Sequence, residues 1–146
     1  MPGDRQDDPA EVAVRTAAAM ERADAAARTA GVQLIDVGPG RARVGMTVDE
    51  RHVNGHGICH GGYVFLLADA ALAYASNSHG TSAVAAGADI VFLRPVASGT
   101  QLVAEAVERA MTGRSGLYDV TVRAGEETVA EFRGRTRQVP GLAPPT

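Results

Sequence analysis

The sequence predicts an α+β fold: an antiparallel β-sheet wrapped around one central α-helix, with an extra helix at the N-terminus. Three observations carry that prediction. Residues 63–75 are apolar around the whole helical wheel apart from one acid, Asp69, the pattern of a helix buried in protein on every side. The segments flanking this stretch read as β-strands, rich in alternating or β-branched residues and bounded by Gly and Pro. The order is helix, two strands, buried helix, then three or four long strands, which suits a helix packed into an antiparallel sheet.

Each element has a local reason. Asp8-Pro9-Ala10-Glu11 reads as a helix start, with Asp as N-cap, Pro in the first helical position and Glu placed to close a capping box. An Ala-rich helix continues to Ala30 and Gly31 is its C-cap. Being mostly Ala and charge, this helix belongs on the surface. Residues 32–37 and 41–48 form a hairpin through Gly38-Pro39-Gly40, and in its second strand Ala42, Val44, Met46 and Val48 alternate with other residues. The buried helix stops near Asn77-Ser78-His79-Gly80. Strands then occupy 83–93, 100–110, 117–123 and 128–139, with turns at Gly113-Arg114-Ser115-Gly116 and Ala124-Gly125-Glu126-Glu127. The division that follows is an extension and surface helix over 1–31, one folded domain over 32–139 and a disordered tail over 140–146.

Composition removes several classes of function. A formal net charge of -3 offers no basic surface for nucleic acid or an anionic membrane. Aromatic residues make up 4% of the chain and Trp is absent, which leaves little on which to stack bases. The apolar run is shorter than the roughly 20 residues that span a bilayer, and the acidic opening lacks the basic-then-apolar order of a signal peptide. Cys59 is the only cysteine, so no internal disulfide forms and a reducing cytoplasm is expected.

The chemistry concentrates in Asn54-Gly55-His56-Gly57-Ile58-Cys59-His60-Gly61-Gly62, which runs into the buried helix and on to Asp69. A helix opening with Gly-Gly presents unobstructed backbone N–H groups at its positive end. A buried acid is costly unless paired or put to use. Plain structural readings stand beside these: Asp69 bonded to a backbone group or an arginine, Asn54 and Gly61-Gly62 as turn and cap residues. His52, His56 and His60 with Cys59 suggest a metal, but their four-residue spacing aligns only on a helix and Gly55 and Gly57 oppose one, so no metal is expected. There is no Gly-x-Ser-x-Gly elbow, and adjacent Cys59 and His60 do not face each other as a dyad would.

Several further segments join this loop in a recognisable set: Phe65, Leu67-Ala68-Asp69, Ala73-Tyr74-Ala75, Asn77-Ser78, Phe92-Leu93-Arg94-Pro95, Gly116-Leu117-Tyr118-Asp119 and Phe132-Arg133-Gly134. Together they resemble the hotdog-fold acyl-CoA thioesterases, most closely the PaaI type of phenylacetic acid degradation, over roughly residues 32–139. The resemblance implies a hotdog fold and hydrolysis of phenylacetyl-CoA or related aryl-CoA esters. It implies Asp69 as catalytic carboxylate, Gly61 as oxyanion N–H donor and Asn54 as the polar partner that positions the water or thioester; His60 is assigned to orienting the thioester or Asn54. Gly62, Tyr63 and Phe65 are candidate substrate contacts, as are Arg94, Arg114 and Ser115, the arginines for the phosphates of coenzyme A. No cofactor is expected, coenzyme A being part of substrate and product. Other readings are a hotdog hydratase or dehydratase and a non-catalytic acyl-CoA-binding module.

Thioester cleavage suits these residue types. The thiol leaving group, with a pKa of roughly 8.5, departs without a strong acid, so the needs are an activated oxygen nucleophile and a donor for the developing oxyanion. Asp69 serves as base or as direct nucleophile; the sequence leaves both open. Spacing adds a constraint. Eight residues of continuous helix separate Gly61 from Asp69 by about 12 Å, beyond the reach of one Asp side chain. If both act, Gly61 and Asn54 of one subunit work with Asp69 of another, which predicts a homodimer with sites at the interface; the resemblance implies the same arrangement, with a second pairing to a homotetramer.

Overall fold

The computed structural model describes residues 6–145; the first five residues of the acidic opening and Thr146 lie outside it. Helix α1 spans Pro9–Ala23 and α2 spans Ala25–Ala30. Asp8 caps α1 by accepting from Ala10 N–H at 3.1 Å, so Asp and Pro act as expected. The single helix expected up to Ala30 is in fact broken at Asp24. Its backbone leaves the helical region and its carboxylate accepts from Ala27 N–H at 3.0 Å, starting α2 afresh: the same preference for N-caps that starts α1 interrupts it. Nor is this helix purely superficial, since Ala13 and Ala17 are buried. Gly31 closes α2 at φ 83° as predicted.

Strands β1 (Gln33–Gly38), β2 (Arg41–Thr47), β3 (Ala83–Phe92), β4 (Gln101–Thr112), β5 (Ser115–Ala124) and β6 (Glu127–Gln138) form one antiparallel sheet in the order β1-β2-β4-β5-β6-β3. Between β2 and β3 run a 3₁₀ turn, Glu50–His52, and α3, Gly61–Asn77. The expected turn at residues 113–116 is shorter. Thr112 pairs with Ser115, so only Gly113 and Arg114 turn, and Gly113 takes the φ of 60° that a two-residue hairpin needs. Ser115 therefore begins a strand. Residues 139–145 carry no helix or strand. No helix among the described residues is long and apolar enough to cross a membrane.

The sheet curls around α3. Alternate residues of its inner face, among them Val44, Met46, Leu102, Ala104, Val120, Val122 and Phe132, share one buried cluster with Val64, Leu67, Ala68, Ala71, Leu72 and Ala75 of α3. Helix and sheet approach closely at Gly134, where a Cβ would sit 2.6 Å from the end of Leu72. The helix is not covered on every side, however. Gly62, Phe65, Leu66, Asp69 and Ala73, spaced three and four apart, form a stripe that the chain leaves partly open. The sheet edge β3 is open as well: Val91 and Phe92 are 58% and 52% exposed, and Leu93 just beyond is 54% exposed.

Gly134→Ala is expected to cost about 1–3 kcal/mol by forcing Leu72 aside in a packed core, and Leu72→Ala about 2–5 kcal/mol. Measured by urea denaturation, the double variant should lose less than the sum, because the second change relieves the first. Strict additivity would show that the two side chains do not compete for this space.

Candidate active site

The loop before α3 is tied at its base. Val53 bridges Cys59, Asn54 N–H donates to Ile58 C=O at 2.8 Å, and Cys59 N–H donates to Val96 C=O at 2.7 Å. Asn54 Oδ1 accepts from His56 N–H at 2.9 Å and Ile58 N–H at 3.2 Å, the local bonding that makes Asn a turn residue. That fixes the orientation of its amide. The oxygen is used within the loop, and Nδ2 donates to none of the described residues. The plain turn reading of Asn54 is thus true of one of its atoms and leaves the other available.

His60 follows as N-cap of α3 without a side-chain capping bond, and its N–H donates to His52 C=O at 2.7 Å. Gly61 and Gly62 come next, in the helical turn whose N–H groups have no intrahelical acceptor. Neither N–H is bonded to a described residue. Beside Gly61 is a pocket of about 300 Å³ lined by Ile58, Cys59, Val64 and the segment from Phe92 to Val96. The Phe92 ring lies 3.0 Å from where a Gly61 Cβ would be; glycine is what allows a wall this close to the helix terminus. Burial pushes the Cys59 thiol up from its ordinary value, consistent with its place in the wall.

Asp69 lies two turns further along the same unbroken helix, on the open stripe. Neither an arginine nor a backbone donor meets its carboxylate, so the structural pairing that would explain a buried acid is not made among the described residues. Burial holds its pKa above the ordinary carboxylate value, and the negative charge of Asp24, at the break between α1 and α2, adds to the rise. The helical rise keeps it about 12 Å from Gly61.

The other sequence candidates are scattered. Phe65 is on the open stripe, edge-on to Phe132 at 5.2 Å. Tyr63 turns inward, its ring 4.8 Å from that of His52, and Gly62 is exposed beside His60. Arg94 is in the pocket wall, with Glu127 at 3.9 Å. Arg114 and Ser115 are at the far end of the sheet: Arg94 N–H bonds Val129 C=O whereas Arg114 C=O accepts from Gln138 N–H, nine residues or roughly 30 Å along β6. The two arginines therefore do not converge within one chain. His52 is buried and His56 exposed, and among the described residues no three of His, Cys, Asp and Glu gather as metal ligands would. The pocket walls at Phe92, Leu93 and Val96 escaped the functional reading. Their one sequence signal is an aromatic strand end running into Arg-Pro.

Comparison with known proteins decides the family. The family model described as Thioesterase superfamily matches residues 56–131, from the glycine-rich loop through α3 to β6. The chain belongs to the thioesterase superfamily. Within this family it is 44% identical over 128 residues to the acyl-coenzyme A thioesterase PaaI of Escherichia coli strain K12, covering 87% of this chain and 91% of that one. The structure of the E. coli PaaI protein from the phenylacetic acid degradation operon superposes with a TM-score of 0.89 at 41% identity, over 92% of this chain and 99% of that chain. A variant of the phenylacetic acid degradation protein PaaI from Thermus thermophilus gives a TM-score of 0.77 at 34% identity, over 80% and 100% of the respective chains. The hotdog fold and the PaaI-like acyl-CoA thioesterase class expected from the sequence are therefore both correct.

In this thioesterase the position of Asp69 has a consequence for stability. A carboxyl whose pKa is raised by folding binds its proton more tightly in the folded state, so stability declines as pH rises from 3.8, the ordinary value, through the raised one. Asp69→Asn keeps the shape and removes the charge. At neutral pH it is expected to raise the melting temperature, with the gain vanishing below the ordinary carboxylate range. A variant no more stable at neutral pH would show that the folded protein holds this charge as well as water does.

Proposed function

We propose that the protein hydrolyses phenylacetyl-CoA or related aryl-CoA thioesters to the free acid and coenzyme A, at a site assembled from two copies of the chain. The observation that carries this reading is the separation of Asp69, half-buried and without a partner among the described residues, from the open Gly61 N–H on one rigid helix. Neither group can serve the other's site in cis. A two-fold axis that sets two α3 helices antiparallel along their open stripes brings Gly61 of each beside Asp69 of the other. The apolar edge β3 supports the same axis, since antiparallel pairing of two β3 strands would cover it and continue the sheet. That pairing also carries the Arg114–Ser115 end of one subunit toward the Arg94 end of the other, so that one coenzyme A would meet arginines from both.

In this site the thioester carbonyl enters the pocket beside Phe92 and directs its oxygen at the Gly61 N–H, where the helix dipole adds to the hydrogen bond. The free Nδ2 of Asn54 donates to the same oxygen or to the attacking water, and His60 flanks it. Asp69 of the second subunit takes a proton from water as the water oxygen bonds the carbonyl carbon. The C–S bond then breaks, and the thiolate leaves and takes up the proton. A raised pKa makes Asp69 a stronger base than an exposed carboxylate. The pocket, with Phe92 and Val64 as apolar walls, suits a flat aryl or short acyl group. The unpaired Cys59 and the coenzyme A substrate both favour the cytoplasm as the place of action.

Complementation tests the shared site. Asp69→Asn and Asn54→Ala are each expected to lower kcat on phenylacetyl-CoA by about 10²–10⁴-fold. Co-expressed, they should recover about a quarter of wild-type activity, the statistical share of intact sites in randomly mixed two-fold dimers. No recovery in mixtures shown by mass spectrometry to contain heterodimers would place both residues in one subunit's site and overturn the proposal.

A further inference from the structure

We infer that His52 is a positioning residue for the oxyanion N–H, through which the N-terminal helices act as a strut behind the catalytic turn; this rests on the thioesterase reading above. His52 is wholly buried, 0% exposed, and every polar atom of its ring is committed. Its Nδ1 accepts from Asp49 N–H at 3.0 Å, so the proton is on Nε2, which donates to Ala30 C=O at 2.7 Å. The Asp49 carboxylate, close to the same Nδ1, is taken by Arg51. The partner of Nε2 is one of the last carbonyls of α2, a group that a helix leaves without an internal donor.

The same residue holds the catalytic turn by two further contacts. Its C=O accepts from His60 N–H at 2.7 Å, one residue before Gly61, and its ring is met edge-on by Tyr63, one turn into α3. A displacement of the imidazole thus moves the backbone on which the Gly61 and Gly62 N–H groups depend. Arg51 supplies the contrast. Its Nη1 donates to Thr29 C=O at 2.6 Å, so it fastens the same helix end from the surface, but its side chain hydrogen-bonds only Asp49 and Thr29 among the described residues.

That contrast separates positioning from simple stability. His52→Asn retains an acceptor near Asp49 N–H and is too short to reach Ala30; His52→Gln reaches Ala30. Arg51→Gln removes the surface bond to Thr29 and leaves the bond of His52 to Ala30 in place. Well below every melting temperature, His52→Asn is expected to lower kcat on phenylacetyl-CoA about ten- to a hundredfold with KM within about twofold, and to shift the amide NMR resonances of Gly61 and Gly62. His52→Gln should restore most of both, and Arg51→Gln should leave both as in the wild type despite a lower melting temperature. Should His52→Asn not fold, His52→Phe, which keeps a ring against Tyr63 and gives up the bonds to Asp49 and Ala30, should change kcat and the amides in the same direction. Unchanged Gly61 and Gly62 amides, or equal changes in Arg51→Gln, would overturn the inference. A wild-type protein that hydrolyses no aryl-CoA ester would instead remove the substrate reading, while the amide resonances still decide the role of His52.

Discussion

Covering α3 is the constraint on which the rest of the structure depends. A helix apolar all round has no favourable exposed face, and isolated helices of this length are marginal in water. The curled sheet covers one side, helped by Gly134, where the strand comes within side-chain contact of Leu72. The outer face of the sheet is free to carry polar ladders such as Arg109 and Arg133 on Asp119, at 2.8 and 2.7 Å. Small residues of α1 cover another side, with Ala13 and Ala17 buried. What remains is the stripe through Phe65, Leu66 and Asp69. Its apolar members call for a second protein surface, and the acid among them calls for a use.

The two ends of α3 are treated differently, and the difference separates structure from function. At the C-terminal end the polar side chains are engaged in closure: Asn77 bonds Ala73 C=O and both backbone groups of Ala83, and Ser78 donates to Ala75 C=O while accepting from Gly40 N–H. At the N-terminal end the cap residue makes no side-chain capping bond, the N–H groups of two glycines are bonded to no described residue, and a pocket opens beside Gly61. Helix termini are ordinarily satisfied. An end left open next to apolar walls, in a chain that closes its other end so thoroughly, is what the proposed function assigns to the thioester carbonyl.

Much of this was legible in the sequence because the signals are local. The Asp-Pro start of α1, the αL Gly31, the hairpin positions and the extent of α3 follow from capping, turn chemistry and hydropathy period. The break at Asp24 was not legible, because an Asp within an Ala-rich run reads equally well as a surface residue of one long helix. Membership of the hotdog thioesterases was readable because its motif residues keep their spacing through the loop and α3. The walls at Phe92 and Leu93 were harder to see: an apolar strand end looks the same whether it enters a core, an interface or a pocket. The distance between Arg94 and Arg114 could not be read at all, since it depends on β3 crossing to pair with β6 instead of β4.

The placement of the acid in the middle of α3 also has a physical reason. A carboxylate in the first turn would be stabilised by the helix dipole and would accept the free N–H groups itself. It would then be a weaker base, and the oxyanion would have no donor. Two turns along, Asp69 escapes both effects. There burial and the charge of Asp24 raise its pKa instead, keeping it basic, while the Gly61 N–H stays unoccupied. In the proposed site, one helix carries both halves of the machinery by holding them too far apart to quench each other. In the proposed dimer, two such helices side by side restore the proximity that catalysis requires.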